Sequence, residues 1–427
     1  MRKIIIEDRR NIDPFNEPAR ELRVLNKPLF LQQRDVLLPY CTGRELPVES
    51  RDQVSRGRFP ERTETLVHRD NLFFDKHFID EFIQRAQATG KACQVAFSLR
   101  DKAIVHHADK LQKRIQRKGD HYVAELWYYP HGIEDYARPL VIDTEPYEAG
   151  YYRVPTYMAS EQGEMIYYLP MKAFLSIEHW THIFTASVLF GIFAQAARFE
   201  RDANRSLKFK SKIFLKALLE RKQFMSSSSA VEIGRNCTIN PSVSIQGPTI
   251  IGDNVTIGAG THITHCIIGN NVNIMEGCQL MLSVVGDGCY LPFRAALLTT
   301  AVMENSIIAQ NTCLQKCVVG RNSFIGAGST FTDYNLVSDK PIRTFFDGKL
   351  QSTGTDVMGG CVGHNCRLGA GLIIHPARTI ESDTVLVATQ ERWVISKNVT
   401  YEDSDHHKIS GGTELHPRLY DPNVRRL

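Results

Sequence analysis

The sequence predicts an α/β domain, a helical arm and then a left-handed parallel β-helix, in that order along 427 residues. Two observations carry this. In "EIGRNCTINPSVSIQGPTIIGDNVTIGAGTHI" isoleucine recurs at 233, 239, 245, 251, 257 and 263, with Gly, Asn, Asp and Thr between. Ahead of it, short apolar runs alternate with segments of helical spacing.

A helix repeats its apolar face at three and four residues and a half-buried strand at two, so an interval of six belongs to neither alone. Short extended segments at a fixed short period, separated by Gly/Asn/Asp turns, mark a hexapeptide repeat in which each hexad is one side of a triangular coil. Its aliphatic residue points inward. From 251 the coil starts fall at Ile251, Ile268, Val285, Val302 and Val319, one residue short of three hexads each time, so the same corner is tightened in every coil. The register is lost after "FTDYN" and resumes at Val362, Leu368, Ile374, Ile380 and Leu386, which leaves 337–361 as an extruded loop. About eight coils, spaced ~4.8 Å, predict a prism on the order of 40 Å long.

Ahead of the repeats, "RKIIIEDRR", "ETLVHRDNLFF" and "RPLVIDT" read as strands, and "KHFIDEFIQRAQATG" as a helix stopped by glycine. Strands alternating with helices predict an α/β layer domain. The boundaries that follow are 1–165 for this domain, 166–228 for a helical linker arm, 229–395 for the β-helix and 396–427 for a C-terminal tail.

Composition narrows the function classes. With 51 Lys and Arg against 47 Asp and Glu, a net charge of +4 is too mild to call for nucleic acid. The ten cysteines include no C-x-x-C pair, and Cys237, Cys278, Cys289 and Cys366 fall four places after an inward aliphatic, a slot that calls for a small side chain. His262 and His265 lack the third ligand a metal site requires. No signal peptide is apparent, and "IFTASVLFGIFAQAA" is shorter than the roughly 20 apolar residues that span a bilayer, so a cytoplasmic chain without a transmembrane segment is expected. Residues 198–222 carry nine Lys/Arg against three Asp/Glu on a helical pattern, either a solvated face or one turned to phosphate or a membrane surface.

Two stretches resemble a known family. "EDRRNIDPFNEPARELRV" is similar to the opening of the bifunctional UDP-N-acetylglucosamine pyrophosphorylase/glucosamine-1-phosphate N-acetyltransferase family, and "IGAGSTFTDYN" resembles that family's "GAGTxTxNY" segment. The resemblance, as to a divergent member, implies a nucleotidyltransferase-like first domain, a sugar phosphate or nucleotide as substrate, Mg²⁺, acyl-CoA as cosubstrate and a homotrimer.

In that frame Arg9, Arg10, Arg20 and Arg23 supply charge for phosphate, Asp70 is the metal carboxylate, and Asp333, Tyr334 and Asn335 belong to the family-like hexad. A glycine-rich phosphate loop is missing, the first glycine being Gly43. The position of the family's acyl-transfer histidine falls on Gln310, which cannot act as a base, and the candidate bases are His364 and His375, at hexad positions that face outward or edge a corner. In the extruded loop Arg343 and Lys349 offer charge for phosphate, and Phe345 and Phe346 a stacking surface. Two functions stay open: a sugar-nucleotide-related transferase with altered catalytic residues, or a catalytically silent sugar-nucleotide-binding regulator or scaffold.

Overall fold

The run "RKIII" forms the strand Arg2–Ile6, with Ile4 and Ile6 fully buried, inside a mixed seven-stranded sheet. In the computed structural model, which describes residues 1–41, 45–50, 63–153, 164–334, 341–409 and 416–423, this sheet belongs to the first of two compact units. Among the described residues that unit takes 1–12, 18–153 and 164–186, and the second takes 13–17 and 187–423.

The sheet runs Arg138–Val141, Cys93–Ser98, His121–Tyr129, Thr65–Arg69, Arg2–Ile6, Glu45–Val48, with Gln116–Lys118 paired to His121–Tyr129. Arg2–Ile6 is parallel to both its neighbours, and His121–Tyr129 is antiparallel to all three strands it pairs with. The chain thus leaves Arg2–Ile6 to one side and returns on the other, so the sheet has a topological switch point where Glu7, Asp8 and Asp70 follow their strands. The helix Lys76–Thr89 starts where Asp75 accepts from the Phe78 N–H at 2.9 Å and stops at Gly90, whose φ of 60° suits a residue without Cβ. Its apolar face buries Phe78, Ile79, Phe82, Ile83 and Ala86, and Phe78 meets Phe97 of the sheet at 5.9 Å.

The expected helical arm over 166–228 needs correction. Its first part is extended: Glu164–Pro170 pairs with Pro146–Arg153, and Phe174–Ser176 pairs with Leu72–Phe74. Helix begins at Trp180 and continues to Arg205. At 26 residues this helix is long and apolar enough to cross a membrane by length and composition, which the apolar run alone was not, yet 89% of its most apolar window is buried inside the protein. A second helix, Leu207–Glu220, follows.

The repeats build three parallel sheets of eight strands each. The inward column reads Ile251, Ile268, Val285, Val302, Val319, Val362 and Ile380 in direct register, as the period predicts. Ile268, Val285, Val302 and Val319 are all at most 2% exposed. The first coil is an open end, where Ile233 is 47% exposed.

The small-residue slot has a physical purpose. A side chain four places past the inward residue turns under the corner and donates to a carbonyl of the next coil: Thr261 to Met275 O (2.9 Å), Ser306 to Gly320 O (2.8 Å), Cys289 to Met303 O (3.1 Å), Cys366 to Glu381 O (3.1 Å). Corner carbonyls that would be orphaned are thereby satisfied, and all ten cysteines are free thiols. At the adjoining turn Asn254, Asn271, Asn305, Asn322 and Asn365 hold φ between 54° and 58°, a left-handed conformation asparagine tolerates.

The inserted loop contains a hairpin, Arg343–Phe346 with Lys349–Ser352. Ile342 and Thr344 are buried beneath it, and Phe345 stays 52% exposed.

Candidate functional site

At the switch point of the first unit, carboxylates and guanidinium groups are arranged in two layers. Asp70 ends the strand Thr65–Arg69, and its Oδ1 accepts the backbone N–H of Asp8, just past Arg2–Ile6, at 2.7 Å. Asp70 Oδ2 faces Arg20 Nη1 at 3.5 Å. Asp8 is gripped by Arg10, with Nη2 to Oδ2 at 2.7 Å, and Arg114 stands 3.9 Å away. Glu178 accepts from Arg10 (3.1 Å), from the backbone N–H groups of Lys113 and Arg114 (3.0 Å each) and from Ser176 Oγ (2.9 Å). His182 continues the network: its Nε2 donates to Lys110 O at 2.8 Å while Nδ1 accepts the N–H groups of Glu178 and His179.

Exposure separates the layers. The side chains of Asp8, Asp70 and Glu178 are 6%, 2% and 0% exposed, whereas those of Arg10, Arg20 and Arg114 are 43%, 33% and 31% exposed. Buried carboxylates thus lie beneath three part-exposed guanidinium groups: Asp8 and Glu178 hold Arg10, while Arg20 also pairs with Glu21 (3.2 Å) and Arg114 with Glu125 (3.7 Å).

Protonation differs within the buried layer. Burial pushes the Asp70 carboxyl up to about 7, against the Asp8 N–H and the Arg20 charge that favour its ionised form. Burial would raise Asp8 as well, but the hydrogen bonds and charge of Arg10, with the charge of Arg114, hold it below the usual value. One carboxyl therefore changes charge near neutral pH while its neighbour stays ionised.

Of the expected residues, Arg10 and Arg20 join this layer and the others do not. Arg9 pairs with Glu7 and Glu49 at the surface, and Arg23 donates to Asn26 O at 2.8 Å, closing its own turn. Asp70 faces an arginine and an amide. Among the described residues no group of three or more His, Cys, Asp or Glu side chains is placed to hold a metal. Asp8, Arg114 and Glu178 were missed because they meet through the fold: Arg10 and Glu178 lie 168 residues apart. Gly43 lies outside the described residues.

In the second unit His364 edges a corner, one of the two expected positions, but it is fully buried, which corrects the expectation that it faces outward. Its Nδ1 accepts the backbone N–H of Arg321 at 2.9 Å, so Nε2 carries the proton and points at Glu17 Oε2, 3.3 Å away. Arg321 Nη1 also reaches that Glu17 oxygen at 3.0 Å, and Phe15 and Tyr420 cover the imidazole at 5.0 and 4.7 Å between ring centres. Burial holds the ring below its ordinary pKa, against the nearby Glu17 carboxylate. This is a sealed structural contact between residues 13–17, the C-terminal segment and one corner of the β-helix.

His375 is exposed beside the column, and its backbone N–H donates to Ile395 O. Asp333 pairs with Lys316 at 3.7 Å, and burial pushes that lysine down to about 8 against the pull of Asp333. Tyr334 bridges to Val357, and Asn335 lies outside the described residues. Arg343 donates to Leu350 O within its hairpin at 2.7 Å, and Lys349 is exposed beside it.

Residues 230–265 match the family described as bacterial transferase hexapeptide (six repeats). The match covers the first two coils, and together with the three stacked parallel sheets it fits a left-handed β-helix of the acyltransferase-like kind. No curated protein matches the chain significantly in sequence.

Proposed function

We propose that the chain is a sugar-nucleotide-related transferase, of acyl- or nucleotidyl-transfer type, that holds a phosphate of a sugar phosphate or sugar nucleotide on the guanidinium layer formed by Arg10, Arg20 and Arg114. The observation that carries this reading is the layering itself. Guanidinium groups held by carboxylates lose little freedom on meeting an anion and bind phosphate through paired N–H donors. Their place supports it too, because open α/β sheets bind ligands outside the carboxyl ends of their strands, at the switch point. The transferase-type hexapeptide repeats favour group transfer.

In this reading Asp70 takes up a proton when the anion arrives, since a charged phosphate nearby disfavours its ionised form. Mg²⁺ would reach this site together with the phosphate, since it is commonly held by one or two carboxylates with substrate phosphate oxygens and waters, while the arginines make the direct contact. Acyl-CoA is the proposed cosubstrate, with the exposed Phe345, Arg343 and Lys349 of the hairpin as its contact, and the assembly is proposed to be a homotrimer built on the flat sides of the β-helix.

A second reading, a silent sugar-nucleotide-binding regulator or scaffold, is favoured by one observation: His364 is sealed from substrate. Incubating the full chain with nucleoside triphosphates, sugar phosphates and acyl-CoA, followed by mass spectrometry, separates the two. Conversion is expected. Bound but unconverted sugar nucleotide would establish the scaffold, and loss of binding in Arg10→Ala with Arg20→Ala would locate the site.

A further inference from the structure

The helix Leu207–Glu220 leaves its apolar side chains on the wrong face for a core. Ser206 caps it by accepting from the Phe209 N–H at 3.1 Å, and it closes at Arg221 with φ 53°. Its inner face is narrow: Ile213 and Ala217 are buried, and Phe209 packs edge-on against Phe199 at 5.6 Å. The opposite face carries Leu207, Phe214, Leu215, Leu218 and Leu219, which are 85%, 59%, 57%, 64% and 83% exposed. A helix of this length gains little from propensity alone, so a row of large exposed apolar side chains points to something that covers it.

The charges say what. At about 100° per residue, Lys210 and Arg221 border one edge of the apolar stripe and Lys212 and Lys216 the other, with Lys208 at its start. All five are exposed. The helix's one acid, Glu220, is turned to the Ser228 N–H at 2.9 Å. A second copy meeting this face two-fold would set lysine rows against lysine rows. An apolar stripe between two basic edges instead matches an anionic bilayer, where leucine and phenylalanine enter the acyl boundary and lysines reach back to the headgroups.

We propose that the helix Leu207–Glu220 docks the protein on the surface of an anionic membrane. The inference is independent of the transferase reading. The test is co-sedimentation of the full chain with phosphatidylcholine vesicles, with and without phosphatidylserine. Binding to the phosphatidylserine vesicles alone, weakened by high salt, is expected. Phe214→Ser with Leu218→Ser abolishes it, and Lys212→Glu with Lys216→Glu weakens it by on the order of fivefold or more for each charge removed. Both variants keep the wild-type unfolding temperature, because the changed side chains are exposed. Absence of binding to phosphatidylserine vesicles, or binding indifferent to both variants, overturns the proposal. So does a change in assembly mass in the Phe214→Ser, Leu218→Ser variant without any vesicle binding, which would assign the face to a neighbouring copy.

Discussion

The backbone N–H of Asp8 donates to Asp70 Oδ1 at 2.7 Å, joining the ends of two parallel strands at the switch point of the sheet. Because burial raises the folded-state pKa of Asp70 from 3.8 to about 7, the folded protein holds an extra proton across that window. The group's contribution to stability is therefore largest below it and is lost as pH rises through about 7. Asp70→Asn keeps an acceptor for the Asp8 N–H but cannot ionise. Relative to wild type it should be more stable near pH 8 than near pH 5, by on the order of a few kcal/mol. Unfolding followed at both pH values checks this, and a pH-independent difference would refute it.

Phosphate binding should follow the same group. Inorganic phosphate or a sugar phosphate is expected to bind wild type more tightly below pH 7 than above it, after allowing for the ligand's own titration, and Asp70→Asn should flatten that dependence. Calorimetric titration across the range reads it directly. Equal pH profiles in the two proteins would separate Asp70 from the site.

Val302 stands in the inward column between Val285 and Val319 and is 2% exposed. Val302→Asp would bury an unpaired carboxylate, at a cost of several kcal/mol. Loss of cooperative unfolding, or recovery only in insoluble form, is expected. A soluble variant with the wild-type unfolding temperature would contradict the register.

His364 and Glu17 should behave as one structural unit. His364→Ala leaves the Arg321 N–H without its acceptor, while Glu17 keeps the Arg321 guanidinium, and this is expected to destabilise by about 1–3 kcal/mol. The double variant with Glu17→Ala should cost less than the sum of the two, because both remove the same contact. Additive losses would deny the coupling.

The hairpin pair Arg343 and Lys349 is exposed, and its removal should leave unfolding within about 0.5 kcal/mol of wild type. If acyl-CoA docks there, Arg343→Ala with Lys349→Ala weakens CoA binding by about tenfold, as two lost charge contacts imply. Light scattering of the same proteins should return three times the 48.4 kDa chain mass. A monomer mass would sink the trimer.

The β-helix was legible because its information is local and repeated. A six-residue period fixes which side chain points inward, and the one-residue deficit from Ile251 onward fixes the corner. The slot occupied by Cys289 and Cys366 was visible as a small-residue position, although the carbonyl it satisfies in the next coil was not. In the first unit the strands "RKIII" and "TLVHR" and the helix ending at Gly90 could be read from apolar spacing and a stop residue.

The sites were less legible, for the opposite reason. Arg10 and Arg20 could be proposed from charge alone, but Glu178 reaches Arg10 only after the chain has built a sheet and returned. By hexad position His364 was expected to face out or edge a corner, and therefore to be accessible. It is buried because residues 13–17 and Tyr420, far away in sequence, close over its corner.

By itself the sequence determined the repeat, its register and the helical pattern after Arg198, which the structure divides at Ser206 into two helices, since each rests on neighbours within a few residues. Only the tertiary structure decided which carboxylates lie under which arginines, that Asp70 titrates near neutral pH, and that the leucines after Leu207 face solvent. Burial and desolvation depend on what packs from elsewhere in the chain, and no local pattern encodes that.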